Sequence, residues 1–85
     1  MVEYKDPVNV MFARARIRTH INKWALSDRD DIMWFLGYVG KRESTRRMYD
    51  RWILSLAEGP GKRTEYIKGD PLKEIKVIRE LVRGN

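Results

Sequence analysis

Apolar side chains recur every three or four residues along most of the chain, which is the spacing of one face of an α-helix. The pattern predicts an all-α fold whose helices cover residues 8–26, 28–39, 44–58 and 71–83. With only 85 residues, we expect one domain over 1–85, a compact four-helix orthogonal bundle preceded by an N-terminal arm at 1–7. The polar stretch KRTEYIKG, before the last helix, is predicted to be a loop or a small hairpin.

The first predicted helix also contains a strand pattern. Between Ala13 and Ile21, small or apolar residues alternate with basic ones, and such alternation is typical of a strand. The same segment carries apolar residues at helical spacing, namely Val10, Ala13, Ile17, Ile21 and Trp24. Because Ala and Arg form helices readily, we favour the helix. A strand would instead suit a ribbon-helix-helix repressor, with 19–27 as an unusually long connector.

Sequence signals at the helix ends support the other three helices. Ser27 and Asp30 have the spacing of a capping box, and the acids of DRDD suit the positive end of a helix dipole. Gly40 is predicted to cap the second helix, and EGPG to end the third. Asp70 followed by Pro71 is a start signal for the fourth.

The periodicity also predicts which side chains face inward. On the second helix these are Ile32, Phe35, Leu36 and Val39. On the third they are Thr45, Met48, Tyr49, Trp52, Ile53 and Leu56, and on the fourth Leu72, Ile75, Ile78, Leu81 and Val82. Trp34 and Tyr38 lie one turn apart on another face, as either a second buried face or a platform for stacking or a partner.

The net charge of +6 and the pI of about 9.9 predict attraction to polyanions, with nucleic acid first. The excess charge concentrates in the first helix, at the start of the third and along the fourth. A helix start also offers free backbone N–H groups to a phosphate. We therefore predict double-stranded DNA as the partner. The predicted DNA-binding residues are Arg14, Arg18, Lys41, Arg42, Ser44, Thr45, Arg46, Arg47, Arg51, Lys73, Lys76, Arg79 and Arg83. The alternative for each cation is a solvated face or an ion pair within a helix, such as Arg46 with Asp50.

Signatures of catalysis are weak. The chain has no Cys and a single histidine, His20, so a triad with a second base cannot be built and a metal site would depend on carboxylates. The acids of DRDD are interpreted as caps. GPGKRT imitates part of a phosphate-binding loop, but Arg63 stands where Ser or Thr belongs. We expect a non-catalytic protein with no cofactor, no metal and no small-molecule substrate.

The longest apolar run, IMWFLGYVG, is too short to cross a bilayer, and no signal-peptide pattern precedes it. The lack of Cys fits a reducing compartment. We therefore expect a cytoplasmic protein without a membrane partner.

Three features stand in an order that is characteristic of one family. They are Asp31-Ile32 with Phe35-Leu36, Ser44-Thr45 with Tyr49 and Trp52, and Asp70-Pro71. This order resembles the core-binding domain of the tyrosine recombinases, the phage-integrase family, over most of residues 8–80. RTHINKWAL is also similar to that domain's opening helix.

The resemblance implies a small helical bundle that clamps one side of duplex DNA. It implies major-groove contacts by the second and last helices, with basic residues of the turn before the third in support. The family's catalytic domain has no counterpart in the sequence, and the interval from Gly59 to Asp70 is longer than expected. The rival hypothesis is a small protein-interaction module, self-associating or docking on a larger protein through Trp34, Tyr38 and Leu54.

Overall fold

The structure, a computed structural model, describes residues 6–38, 43–61 and 69–84, without the side chain of Glu43. The helices are α1 (Val8–Thr19), α2 (Leu26–Gly37), α3 (Glu43–Leu56) and α4 (Pro71–Arg83), with a 3-10 turn at Ile21–Lys23. These described residues contain no strand, so the predicted all-α fold is confirmed. The segment with the alternating pattern is helical, and the strand required by a ribbon-helix-helix repressor does not form.

The prediction of one helix over 8–26 was wrong, because α1 ends at Thr19. His20 leaves the helical conformation, the 3-10 turn follows, and Trp24 is extended. The run Thr-His-Ile-Asn has low helix propensity, and the Thr19 hydroxyl donates to the Ala15 carbonyl, a bond that competes with regular helix. The turn directs Trp24 back into the core, where it is buried.

The predicted start of the second helix at Asp28 was also wrong. α2 begins at Leu26 after Ala25, and no side chain caps it, so the capping box of Ser27 and Asp30 does not form. Instead, the Arg29 side chain reaches back and donates to the carbonyls of Trp24 and Asn22, at 2.9 and 3.0 Å. These bonds fasten the start of α2 to the 3-10 turn.

The ends of the other helices follow the sequence signals more closely. The Asp70 carboxylate accepts a hydrogen bond from the Leu72 backbone N–H at 3.0 Å, with Pro71 in the first turn of α4. Gly59 follows α3 with a φ of 109°, in the region that favours glycine. α2 ends at Gly37, whereas the predicted cap Gly40 and the predicted core residue Val39 lie outside the described residues.

The helices pack chiefly as two pairs, α1 on α3 and α2 on α4, and aromatic side chains of α2 and α3 meet between the pairs. Phe35 lies at the centre of the core, edge-on to Tyr49 at 5.5 Å and tilted against Trp52 at 5.9 Å between ring centroids. The buried apolar residues are Val10, Ala13, Ile17, Trp24, Ile32, Phe35, Leu36, Tyr49, Trp52, Ile53, Leu56 and Ile75.

Three residues predicted to face inward are exposed: Met48, Leu81 and Val82. Met48 lies roughly 90° around α3 from the centre of the buried face formed by Tyr49, Trp52, Ile53 and Leu56, so it stands at the edge of that face. Leu81 and Val82 lie in the last turns of α4, where the core no longer covers the helix. Periodicity identifies a face of a helix but not how far its neighbour extends.

This arrangement predicts different costs for two truncations on α3. Ile53→Ala is expected to lower the free energy of unfolding by about 2–5 kcal/mol, because Ile53 is fully buried and its loss leaves a cavity. Met48→Ala, on the outer face, is expected to change it by less than about 0.5 kcal/mol. Urea denaturation of both variants measures the difference, and equal losses would contradict this description of the core.

Candidate nucleic-acid interface

Several of the cations predicted to bind DNA are held by aspartates within the fold. Asp6, just before α1, binds two of them. Its carboxylate lies 3.4 Å from Arg14 Nε on α1 and also binds the Arg46 guanidinium on α3. Both arginine side chains are mostly buried, so Asp6 ties the starts of α1 and α3 together.

Arg14 makes a second contact that fixes its position. Its guanidinium donates to the Leu36 carbonyl at 2.5 Å, near the C-terminal end of α2. The last carbonyls of a helix lack partners within it, and a cation there is favoured by the helix dipole. Arg14 therefore links three elements of the fold and is directed away from solvent.

A larger ionic network joins α2 and α4. Lys76 Nζ lies 2.9 Å from the Asp28 carboxylate and 3.5 Å from that of Asp31. Arg79 lies 2.8 Å from Asp30 and 2.9 Å from Asp31. The hydrogen bond to Asp28 raises the pKa of Lys76, and the bonds to Asp30 and Asp31 raise the pKa of Arg79. Only Asp28 lies in the first turn of α2, so the acids of DRDD mainly pair with α4 instead of capping.

The aromatic pair of α2 packs against this network. Trp34 stacks on Tyr38 with ring centroids 4.9 Å apart and planes 16° from parallel, and the Arg79 guanidinium lies 5.8 Å from the Trp34 ring. Both rings are half-buried against the core. Burial, together with a hydrogen bond to Tyr38, raises the pKa of Tyr49 to about 12. The packing favours the interpretation of Trp34 and Tyr38 as a second buried face over a platform for bases.

A second group of polar residues faces solvent along α3. An open cavity of about 600 Å³ is lined by four residues at three- and four-residue spacing, Ser44, Arg47, Met48 and Arg51. We call these residues the α3 stripe. All four side chains are exposed. Arg51 makes no ion pair with any residue of the described ranges. Thr45, the other predicted contact here, is half-buried.

Further exposed cations lie where α1 meets the end of α3. A cavity of about 180 Å³ here is lined by Arg16 of α1 and by His20 and Lys23, which follow it, and the buried Trp24 and Leu56 also line it. We call Arg16, His20 and Lys23 the α1 end. Neither Arg16 nor Lys23 pairs with an acid among the residues described, although Glu58 also lies on the rim.

The sequence predicts Arg14 and Arg18 as the contacts on α1, with the Arg14, Arg16 and Arg18 set as either a phosphate track or a solvated surface, and it does not group Arg16 with His20 and Lys23. A helical projection of α1 places Arg16 on the side of Ile17 opposite Arg14, and this is the signal that could have separated them.

The α1 end and the α3 stripe belong to neighbouring parts of the surface. Asp6 joins the starts of α1 and α3, and the smaller cavity joins their ends, so the two helices run in the same direction. Exposed cations therefore follow this pair of helices, while α2 and α4 neutralise one another.

The remaining predicted contacts are scattered. Arg18 is exposed on α1 and Lys73 on α4. The Arg83 side chain is 60% exposed, 3.8 Å from Glu80. Lys41 and Arg42 lie outside the described residues.

Comparison of the chain with models of known protein families, with curated proteins and with solved structures finds no match. The resemblance to the core-binding domain of tyrosine recombinases therefore stays a prediction from the residues quoted above. Among the described residues, no group of three His, Cys, Asp or Glu side chains is placed to hold a metal ion. Within the same ranges, every helix is too short or too polar to cross a membrane.

The α2–α4 network predicts that Arg79 and Arg83 differ in their effect on stability. Arg79→Ala removes two charge-assisted hydrogen bonds and leaves Asp30 and Asp31 close to each other, so the urea midpoint should fall clearly. Arg83→Ala is the control, because an exposed pair at 3.8 Å contributes little. The difference should shrink at high salt, and coinciding midpoints at low salt would show that the network does not stabilise the fold.

Proposed function

We propose that the protein binds double-stranded DNA without cleaving it, through a basic surface composed of the α3 stripe and the α1 end. The observation that carries the proposal is the distribution of ion pairs. Arg16, Lys23 and Arg51 have no acidic partner among the described residues, whereas Lys76 and Arg79 do. Phosphate contacts by unpaired cations supply most of the affinity in non-specific DNA binding.

The length of the α3 stripe supports double-stranded DNA as the polyanion that binds there. Ser44 and Arg51 are separated by about 10 Å along the helix axis. The major groove of B-DNA, about 12 Å wide, admits an α-helix. Arginine can bind a phosphate or the edge of a guanine, and the exposed Met48 between the cations can contact a thymine methyl. The α1 end would then lie against the flanking phosphates.

The proposal keeps the function that the resemblance to recombinase core-binding domains implies but assigns the contacts differently. The resemblance implies contacts by the second and last helices. On this chain, the acids of α2 hold Lys76 and Arg79 of α4, so these cations are already paired within the fold. We therefore assign DNA contact to α3 and α1, in a cytoplasmic protein that is either a DNA-binding part of a larger recombinase or a stand-alone relative.

Fluorescence anisotropy with a random DNA duplex tests the proposal, at ~50 and ~200 mM salt. The wild type should lose affinity by orders of magnitude at the higher salt. The double variant Arg47→Ala/Arg51→Ala should bind about tenfold or more weakly, and its salt slope should fall by about two.

The matched control is Lys73→Ala/Arg83→Ala, which removes the same charge from exposed positions on α4. It should retain most of the affinity. Equal losses in the two double variants would show that net charge, not the basic surface, sets the affinity. Absence of wild-type binding at ~50 mM salt would refute DNA binding itself.

A further inference from the structure

The chain contains one histidine, His20, and it lies between the end of α1 and the 3-10 turn. Its backbone N–H donates to the Arg16 carbonyl at 3.1 Å, and its own carbonyl accepts from the Lys23 N–H at 3.0 Å. These bonds fix the backbone, whereas the side chain is exposed and makes no hydrogen bond with any described residue. The imidazole ring is therefore available to a ligand from outside.

Charged groups reach this ring from each element that borders it. Arg16 of α1, Lys23 of the turn and Glu58 after α3 line the same cavity as His20. Neither cation pairs with an acid among the described residues, and Glu58 makes no ion pair within those ranges either. While His20 is neutral, two cations against one carboxylate leave the rim of this cavity with an excess of one positive charge.

Protonation of His20 changes the rim in two ways. Histidine is the side chain that ordinarily changes charge between pH 5 and 8. A neutral imidazole has one N–H donor, whereas the protonated ring has two donors and a positive charge. The charged form can make a charge-assisted hydrogen bond to a phosphate oxygen, which is stronger than a neutral one. Protonated His20 therefore adds a third cation to Arg16 and Lys23.

The neighbours of His20 decide when that added charge is favourable. In the free protein, Arg16 and Lys23 disfavour a third positive charge beside them, while Glu58 favours it. A phosphate bound among the cations attracts all three and so favours the protonated ring. By linkage, a ligand that favours protonation binds more tightly once the ring is protonated, and its binding takes up protons.

We infer that His20 is a proton-linked phosphate contact, which binds the DNA backbone in its protonated form and strengthens DNA binding as the pH falls from about 8 to about 5.5. The inference rests on the proposed DNA binding and specifies how the α1 end takes part in it. Arginine stays charged throughout this range, so the α3 stripe is not expected to respond. The response to pH is therefore assigned to His20.

Fluorescence anisotropy with the random duplex tests the inference at about pH 8 and about pH 5.5, over a series of salt concentrations. The wild type should bind about fivefold or more tightly at the lower pH. The slope of log K against log salt should steepen by about 0.9, the value for one added phosphate contact. Calorimetry in two buffers with different ionisation enthalpies should show that binding takes up protons.

Two substitutions at His20 separate its charge from the rest of the surface. His20→Asn removes the titrating ring, so its affinities at the two pH values should differ much less than those of the wild type. His20→Arg carries the charge permanently, so it should bind more tightly than the wild type at about pH 8 and should also lose the response. The side chain is exposed, so the fold should persist, which circular dichroism verifies. His20→Gln replaces His20→Asn if that variant fails to fold.

The matched control moves the titrating ring to α4. His20→Asn/Lys73→His again has one histidine, now at an exposed position outside the α3 stripe and the α1 end. Because this ring lies away from the proposed DNA contact, the double variant should not recover the wild-type response to pH.

A wild type that binds DNA with the same affinity and salt slope at both pH values would overturn the inference and leave the proposed DNA binding intact. An undiminished response in His20→Asn would also overturn it, because another group would then be titrating. Full recovery in the double variant would attribute the response to overall charge and contradict the inference as well. Absence of wild-type binding at ~50 mM salt at both pH values would refute DNA binding and this inference together.

Discussion

Ion pairs between aspartates and the cations of neighbouring helices decide which charges reach solvent. Asp6 holds Arg14 and Arg46, and the acids of α2 hold Lys76 and Arg79. Removing one member of such a pair leaves its partner uncompensated, which costs more than the pair contributes as a whole. The same contacts fasten α1 to α3 and α2 to α4, so the packing of the helices and the electrostatics of the surface depend on them together.

These ion pairs divide the surface into regions that differ in charge and polarity. Three exposed cations, Arg16, Lys23 and Arg51, have no acidic partner in the described part of the chain. The outer faces of α1 and α2 expose apolar side chains instead.

Local sequence signals predicted much of the fold. The spacing of apolar residues located all four helices and most of the core, and Asp70 with Pro71 marked the start of α4. The end of α1 at Thr19 was missed, because the apolar positions Ile21 and Trp24 continue the helical spacing although the backbone turns. The acids of α2 were interpreted as caps because their pairing with α4 joins residues almost fifty positions apart.

The candidate site was harder to predict, because ion pairs between residues distant in sequence also decide which cations face solvent. Composition and segment charge indicated a polyanion as the partner, but they cannot distinguish Arg79, which an acid holds, from Arg51, which faces solvent unpaired among the described residues. The two are equivalent in sequence, each being a cation on the outer side of an amphipathic helix. Only the packing of α2 against α4 separates them.

The most direct test of this account is a titration of the isotope-labelled protein with a DNA duplex, followed by amide chemical shifts in heteronuclear NMR. The account predicts that the largest changes cluster at Ser44, Arg47 and Arg51 and at the α1 end, while amides of α4 change little. Changes concentrated along α4, around Lys76 and Arg79, would contradict it, because they would place DNA on the face whose cations the aspartates neutralise.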